Sequence, residues 1–303
     1  MTRAVAPRPG QDPGPGATAA GRGTVATASS RVVHVWVAPP AAGAALVELL
    51  DDDERARRAA LPVRAANAFT TGRALLRLAV AERAGVPPES VVLAARCPTC
   101  GGAHGRVRVV HPRGVEVSVT RSGPLVAVAV LQADGRGHRP RRVDDIGVDV
   151  VATGPEGTGP GSTAPFADVA LGPRDRRRLV RVPAATRHAL LTTAWARKEA
   201  VLKATGAGLR TDPRGIAVLG RGGRPRRVRH QRRVVDVVDL ALPAPREGGT
   251  SPVPSRLGAG VVAAVAVARP WWRPRRRPTV VVRDGATLLA VAADPTDQRA
   301  LGA

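Results

Sequence analysis

The segment Leu191–Leu209 reads LTTAWARKEAVLKATGAGL and is the best-defined element of the sequence. Good helix formers occupy Ala194–Ala204, and the glycines that follow, beginning at Gly206, are typical of a helix end. Of the 47 Lys and Arg residues in the chain, only Lys198 and Lys203 are lysines, and both lie here. A compact ammonium suits phosphate oxygens and proton handling better than a planar guanidinium does. The segment is therefore predicted to be a helix that carries chemistry.

Glu199 and Lys203 are four residues apart and share one face of this predicted helix, with the acid on the favoured N-terminal side. Trp195 lies one turn before Glu199 on the same stripe. An ordinary amphipathic helix with a solvated Glu–Lys pair and a buried Trp would show the same pattern, because short motifs recur by accident. Which of the two interpretations is right depends on the residues from other parts of the chain that lie beside this helix.

A weak internal sequence repeat indicates the fold class. TTGRALLR at Thr70–Arg77 resembles TTAWARKE at Thr192–Glu199, and the two halves close on similar strands, LVAVAV and VAAVAV. A helix followed by strands, given twice, predicts two related α+β subdomains that face one another. Binding sites often form at such a seam.

The composition divides the chain into four parts. Residues 1–30 are rich in small and polar residues and in Pro, so a disordered tail is predicted. Residues 31–140 and 141–270 are the two subdomains, and 271–303 form a C-terminal extension in which one hairpin is possible. Helices are predicted over Ala44–Leu61, over Ala66–Ala84 and from about Pro173, and strands over Val32–Ala38, Val91–Ala95, Val107–Val110, Val115–Val119, Ile146–Val151, Ala217–Leu219, Val234–Leu240 and Val261–Ala268, with a further buried strand after the turn at Ser122.

The composition also restricts the function. With 2 Phe, 4 Trp and no Tyr, the core must be built from Ala, Val and Leu, and no tyrosine can act as an acid or base. A formal net charge of +23 attracts polyanions, whether nucleic acid, a phosphate-rich cofactor or an acidic protein. The chain lacks the aromatic stacking residues and the recognition-helix signature of nucleic-acid readers, so no specific nucleic-acid partner is expected.

Two cysteines, Cys97 and Cys100, do not make a disulfide framework, and no basic-then-apolar leader opens the chain. The longest apolar run, Val261–Ala268, is too short to span a bilayer. We therefore expect a cytoplasmic protein with no membrane partner. Because the two halves can form a site within one chain, we expect a monomer.

The cysteines lie in CPTCGGAH, where Cys97, Cys100 and His104 are three potential zinc ligands. A structural zinc site takes four ligands, and only His111 or an acid remains nearby. A structural loop with inert thiols is the default interpretation.

Asp149 interrupts an otherwise apolar predicted strand, and a buried carboxylate without a partner is costly. A metal ion or a nearby arginine could compensate it. Magnesium takes one or two carboxylates and completes its shell with water and substrate phosphates, which Asp149 and Glu199 together would allow. Lys203, one turn onward, would then hold a phosphate or receive charge.

Arg121 is predicted to lie in a turn next to Ser122, where backbone amides and a cation could clamp a phosphate. In a chain so rich in arginine, an ordinary surface residue is the alternative.

Three segments of the sequence resemble the motifs of a known protein family. SVTRSG at Ser118–Gly123, GVDVV at Gly147–Val151 and WARKEAVLKATGAGL at Trp195–Leu209 are similar to motifs of the two-domain, Sfp-type 4'-phosphopantetheinyl transferases. The resemblance covers about residues 32–268. ERARRAALPVRAANAFTTGRALLR and CPTCGGAHGR also resemble the N-terminal half of actinobacterial members.

The resemblance implies transfer of the phosphopantetheine arm from coenzyme A to a serine of an acyl or peptidyl carrier protein, with release of 3',5'-ADP. Asp149 and Glu199 would hold Mg²⁺ on the pyrophosphate. Glu199 would also act as, or position, the base for the carrier serine, and Lys203 would stabilise the leaving phosphate. It further implies coenzyme A contacts at these residues: Arg121, Ser122, Lys198 (a phosphate or a structural contact), Arg73 and Arg55.

Two positions depart from the family pattern. Members usually have His where Arg121 stands, in contact with the 3'-phosphate of coenzyme A, and a fixed cation would substitute for it here. Members often have Glu where Val151 stands, as a further metal ligand, although an apolar residue also occurs there. The alternative function is therefore a degenerate, non-catalytic paralogue that binds coenzyme A or a carrier protein.

Overall fold

The computed structural model describes residues 32–97, 99–133, 144–152, 164–242, 261–273 and 277–293. The predicted tail at 1–30 and the predicted subdomain border near residue 140 lie outside these ranges. No helix in the described part is long and apolar enough to cross a membrane. The helices are α1 (Ala44–Glu48), α2 (Asp52–Ala59), α3 (Val63–Ala84), α4 (Ala164–Ala170), α5 (Pro173–Leu179), α6 (Ala184–Thr205) and α7 (Gly285–Ala293). The strands are β1 (Val32–Ala38), β2 (Val92–Ala94), β3 (Arg108–His111), β4 (Val115–Ser122), β5 (Leu125–Gln132), β6 (Asp145–Ala152), β7 (Val228–His230), β8 (Arg233–Asp239), β9 (Val261–Pro270) and β10 (Thr279–Asp284).

Two four-stranded sheets form an α+β fold, as the sequence predicts. Their strand orders are β10-β1-β5-β4 and β6-β9-β8-β7, and β2 pairs with β3 in a small separate sheet. In each half a first strand is followed by three helices and then by further strands, the last of which lies between the first strand and its own predecessor in the sheet. The antiparallel register places Trp36 opposite Val128 in one half and Asp149 opposite Ala264 in the other. One connectivity is therefore used twice.

The layers follow from the alternation of side chains along each strand. Val33, Val35 and Val37 of β1 share a core with Ile146 and other residues of the second sheet, so the inner faces of the sheets pack together. The outer face of the first sheet is covered by α3, and that of the second by α6. These cores consist mainly of Ala, Val and Leu, as the composition requires.

The long helices α3 and α6 match in length and in both ends. Each has 22 residues, follows a proline (Pro62 or Pro183) and stops at a left-handed glycine (Gly85 or Gly206). When α3 and α6 are aligned at these ends, the residue pairing differs by one position from the alignment of TTGRALLR with TTAWARKE. A common origin of the halves by duplication remains a prediction, which the shared connectivity supports.

Three predicted elements differ from the structure. The single helix over Ala44–Leu61 is wrong, because Asp51 accepts from the Glu54 backbone N–H at 2.8 Å and begins a new helix with a capping box. The helix predicted from Ala194 starts a few turns earlier. The segment predicted as a strand before residue 220 forms only an isolated bridge, between Leu219 and Pro225.

The C-terminal segment completes the first sheet. In place of a hairpin it forms β10, which runs parallel to β1 with Val281 opposite His34, and then α7. Leu288 and Leu289 of α7 are buried in the core beneath α3.

Candidate active site

The two sheets meet at their edge strands β4 and β6 through a row of hydroxyl groups. The Ser118 Oγ accepts from the Val148 backbone N–H at 3.0 Å, and the Ser122 Oγ accepts from the Ala152 backbone N–H at 3.1 Å. The intervening Thr120 points the same way, because alternate residues of a strand share one face. Ser122 is thus buried and engaged in joining the halves. Its contact with a cofactor stays a prediction.

Asp149 lies at this seam and is 6% exposed. Its carboxylate accepts from the Thr120 hydroxyl at 2.9 Å and from the Lys203 ammonium at 2.7 Å. A buried carboxylate needs such compensation. The compensating cation is one of the two lysines of the chain rather than one of its many arginines.

Gly147 allows α6 to approach β6 closely enough for these contacts. A Cβ at this position would lie 2.1 Å from the backbone oxygen of Ala200, so a side chain does not fit. At this crossing the Lys203 ammonium also donates to the Val148 carbonyl at 3.2 Å. The glycine of the GVDVV motif therefore allows the end of α6 that carries Lys203 to lie against β6.

Glu199 is half-buried on α6, and its Oε1 is buried with no hydrogen-bond partner within the described residues. Burial raises the pKa of Glu199, the nearby Asp149 carboxylate raises it further, and Lys203 opposes the shift. Two carboxylates close enough to repel, one with an unpartnered oxygen, fit a magnesium ion, which takes one or two protein carboxylates. Val151 is 5% exposed in the core under α6 and supplies no ligand.

A cavity of about 670 Å³ lies beside Lys203, between the halves of the molecule. Its volume is in the range that holds a small ligand or cofactor. The first half contributes Arg57, Phe69, Gly72, Arg73, Arg96, Cys97, Thr99, His104, Gly105, Arg106, Val107, Arg108, Val117, Ser118, Val119 and Arg121, and the second contributes Leu202, Lys203, Gly206, Ala207, Gly208 and Arg210. Asp149 and Glu199 do not line it, so Lys203 is the residue that connects the acids to the cavity.

Three arginines surround one aromatic ring in the cavity wall. The guanidinium carbons of Arg57, Arg73 and Arg121 lie 5.3, 5.3 and 5.6 Å from the centre of the Phe69 ring. Burial lowers the pKa of Arg73 to about 10 against the opposing effect of Glu54. Burial, and then Arg57, lower the pKa of Arg121. Cations crowded together in this way favour an anionic ligand.

Arg55 does not reach the cavity. Its guanidinium donates to the carbonyls of Val47 and Glu48 at the end of α1 and pairs with Asp52 at 3.0 Å. Its contact with coenzyme A stays a prediction. Arg73 and Arg121, by contrast, do line the cavity.

The Lys198 side chain of α6 is fully buried. Its ammonium pairs with Asp175 at 2.8 Å and donates to the carbonyls of Pro213, at 2.9 Å, and Ile216. Three partners use all its N–H groups, so none is left for a phosphate. This contradicts a cofactor contact and agrees with the structural alternative.

Comparison with known families gives a match over residues 145–239 to the 4'-phosphopantetheinyl transferase superfamily. The chain carries a domain of the 4'-phosphopantetheinyl transferase superfamily. None of the curated proteins compared matches the chain. The transferase domain contains Asp149, Glu199 and Lys203, whereas Arg73 and Arg121 lie before it. The match supports phosphopantetheine transfer in general.

Sequence analysis missed three residues of the site. Thr120 could have been found from the alternation of the hydroxyl residues Ser118, Thr120 and Ser122 along one face of the strand. Arg57 and Phe69 give no such signal, because they meet Arg121 only after α2, α3 and β4 have packed together.

Proposed function

We propose that this protein transfers the 4'-phosphopantetheine arm of coenzyme A to a serine hydroxyl of an acyl or peptidyl carrier protein and releases 3',5'-ADP. The observation that carries the proposal is the convergence of Asp149, Glu199 and Lys203 beside a cavity lined by arginines. The superfamily match supports the same class of reaction.

Coenzyme A would be held by its phosphates. Arg57, Arg73 and Arg121 form the most strongly cationic part of the cavity wall, and planar guanidinium groups pair well with phosphate oxygens. In this assignment Arg121 takes the 3'-phosphate contact that a histidine usually makes in the family. Because one chain supplies both walls of the cavity, we expect the protein to act as a monomer, in the cytoplasm.

Asp149 and Glu199 would hold Mg²⁺, which when bound supplies positive charge to the pyrophosphate. Lys203 contacts Asp149 and also lines the cavity, so its ammonium can neutralise charge on the departing phosphate.

In the reaction, the serine oxygen bonds to the phosphorus that carries the pantetheine arm, and the bond from that phosphorus to the bridging oxygen breaks. The bridging oxygen leaves with 3',5'-ADP. Glu199 accepts the serine proton or positions the base that accepts it.

A second function is a non-catalytic protein that binds coenzyme A or a carrier protein. Two observations favour it. Arg121 replaces the usual histidine, and Val151 is packed in the core where many members offer a third carboxylate.

The test is intact-mass spectrometry of an apo carrier protein incubated with this protein, coenzyme A and Mg²⁺. A gain of roughly 340 Da that disappears with a chelator is expected for one phosphopantetheine arm. Glu199→Gln should abolish the gain, and Glu89→Gln, which changes an exposed glutamate far from α6, should not. Coenzyme A binding without any mass gain on fatty-acid, polyketide and peptide carrier proteins would instead support the binding protein.

A further inference from the structure

The loop between β2 and β3 brings together the three side chains of CPTCGGAH that can ligate a metal. The ligand atoms of Cys97, Cys100 and His104 all lie within 4.8 Å of one another. The Cys100 Sγ is 2.9 Å from the His104 Nε2. Nothing in the proposed transfer reaction uses this cluster.

The backbone of the loop holds these side chains in place. Gly101 has φ +74, a conformation that favours glycine, and its N–H donates to the Cys97 carbonyl at 2.9 Å. The Cys97 N–H in turn donates to the Gly102 carbonyl at 2.8 Å. A Cβ on Gly105 would lie 2.1 Å from the Arg96 oxygen, so the chain returns there through a gap that only glycine fits. The ligands are thus placed by a folded turn rather than by a chance approach of surface side chains.

The chemistry of the cluster selects zinc. Thiolate and imidazole ligands in a tetrahedral arrangement suit Zn²⁺, and two cysteines separated by two residues have the spacing of structural zinc sites. Tetrahedral zinc would hold sulfur and nitrogen about 3.6 Å apart, so Cys100 and His104 need to separate by only about 0.7 Å. Two thiolates balance the charge of Zn²⁺ in this strongly basic protein.

We propose that Cys97, Cys100 and His104 bind one Zn²⁺, with the fourth position taken by water. In the described part of the chain no further His, Cys, Asp or Glu joins the cluster. This site is separate from the Asp149–Glu199 pair, which offers only oxygen ligands and suits magnesium.

The zinc loop is also a wall of the cavity. Cys97, Thr99 and His104 line it, and the loop anchors two arginines from other elements: Arg57 donates to the Ala103 carbonyl at 2.7 Å, and Arg210 to the Thr99 hydroxyl at 3.4 Å. A bound zinc would fix the loop that orients Arg57 towards the ligand. This last consequence rests on the proposed function, whereas zinc binding itself does not.

The test is direct, because Cys97 and Cys100 are the only cysteines of the chain, so any thiol signal reports this site. Full-length protein without an affinity tag is stripped of metal and titrated with Co²⁺. A near-ultraviolet sulfur-to-cobalt charge-transfer band is expected, saturating at one Co²⁺ per chain and displaced by Zn²⁺. Zn²⁺ should also slow modification of both thiols by a disulfide reagent at least 10-fold.

Matched variants locate the site. Cys100→Ser and His104→Ala should lose the band, whereas His188→Ala, which changes an exposed histidine on α6, should keep it. Glu199→Gln should abolish carrier modification and keep the band, which separates failure of the zinc proposal from failure of the transferase proposal. Wild-type protein that gives no band, and whose thiols react equally fast with and without Zn²⁺, would overturn the zinc site whatever the variants do.

Discussion

The two halves of the molecule share one connectivity and also one buried ion pair. In the first half Arg77 of α3 pairs with Glu54 at 2.7 Å, and in the second Lys198 of α6 pairs with Asp175 at 2.8 Å. When the helix ends are aligned, the two cations occupy the same position, and in each half the acid precedes the cation by the same number of residues. The scaffold is therefore alike down to the ion pair that supports each long helix.

The halves differ in what they place at the seam. In that alignment Glu199 corresponds to the buried Leu78, and Lys203 corresponds to Glu82, which pairs with Arg283 at 3.2 Å. No carboxylate lies on β1, whereas β6 carries Asp149. The first half instead lines the cavity with arginines. One half thus supplies candidate reactive groups and the other a site for an anion, which explains why the cavity needs both.

The largest effect should come from exchanging the acids of the two long helices for amides. Glu199→Gln removes the proposed base and should lower kcat about 10²–10⁴-fold. Glu82→Gln, one turn beyond the counterpart of Glu199 on α3, should change kcat less than about 2-fold because Glu82 makes only a surface ion pair. Carrier modification followed by mass spectrometry measures both. Similar losses in both variants would mean that the reactive groups are not confined to α6.

Removing the cation of the buried ion pair should destabilise the two halves by different amounts. Lys198→Met leaves Asp175 buried without its cation and should lower the free energy of unfolding by about 3–5 kcal/mol. Arg77→Met should cost less, because Glu54 keeps Arg73 at 3.1 Å. Urea unfolding of the two variants measures the difference. Equal losses would show that the second arginine contributes nothing to the first half.

The helix crossings offer a third contrast. Gly147→Ala forces a Cβ to within 2.1 Å of a backbone oxygen and should destabilise by about 2 kcal/mol or more. Gly72→Ala, where α3 crosses the first sheet, meets side-chain atoms rather than backbone, the nearest being the Val119 Cγ2 at 3.3 Å, and alanine favours the helix by about 1 kcal/mol. We expect Gly72→Ala to be within about 1 kcal/mol of wild type by urea unfolding. A larger loss than for Gly147→Ala would contradict the account of α6 docking.

The arginines should affect substrate binding more than the chemical step. Arg121→Ala should raise KM for coenzyme A about 10-fold with little change in kcat, since it removes one phosphate contact. Arg113→Ala, an exposed arginine outside the cavity, serves as the control. A fall in kcat at unchanged KM would instead place Arg121 in the chemistry.

The smallest effect is the pH dependence of stability. The pKa of Glu199 is raised in the folded protein, so its ionisation costs the folded state free energy. Below about pH 4 the residue is mostly neutral, and wild type and Glu199→Gln should be nearly equally stable. As the pH rises through the ordinary range of a glutamate, wild type should lose stability relative to the variant until the folded-state pKa is passed. Urea unfolding with chelator present measures this gap, and a gap that narrows with rising pH would contradict the raised pKa.

The secondary-structure elements could be predicted from the sequence better than the contacts of individual side chains. The strand of GVDVV and the end of α6 at Gly206 follow from local periodicity and glycine chemistry. The family resemblance implied a cofactor contact at Ser122 and a phosphate or structural contact at Lys198, yet both side chains bind groups far along the chain. Local patterns fix which side chains share a face, whereas packing fixes which of them remain free.

The hydroxyls of β4 also bear on how the protein stays in solution. The edge strands β4 and β6 meet there, and the unpaired backbone N–H and C=O groups of an uncovered edge strand can pair with another chain and start aggregation. Ser118 and Ser122 accept from two backbone N–H groups of the edge strand β6, those of Val148 and Ala152, so each half shields an edge of the other. The halves should therefore be poor candidates for separate expression, since cutting between them would create two unprotected edges at once.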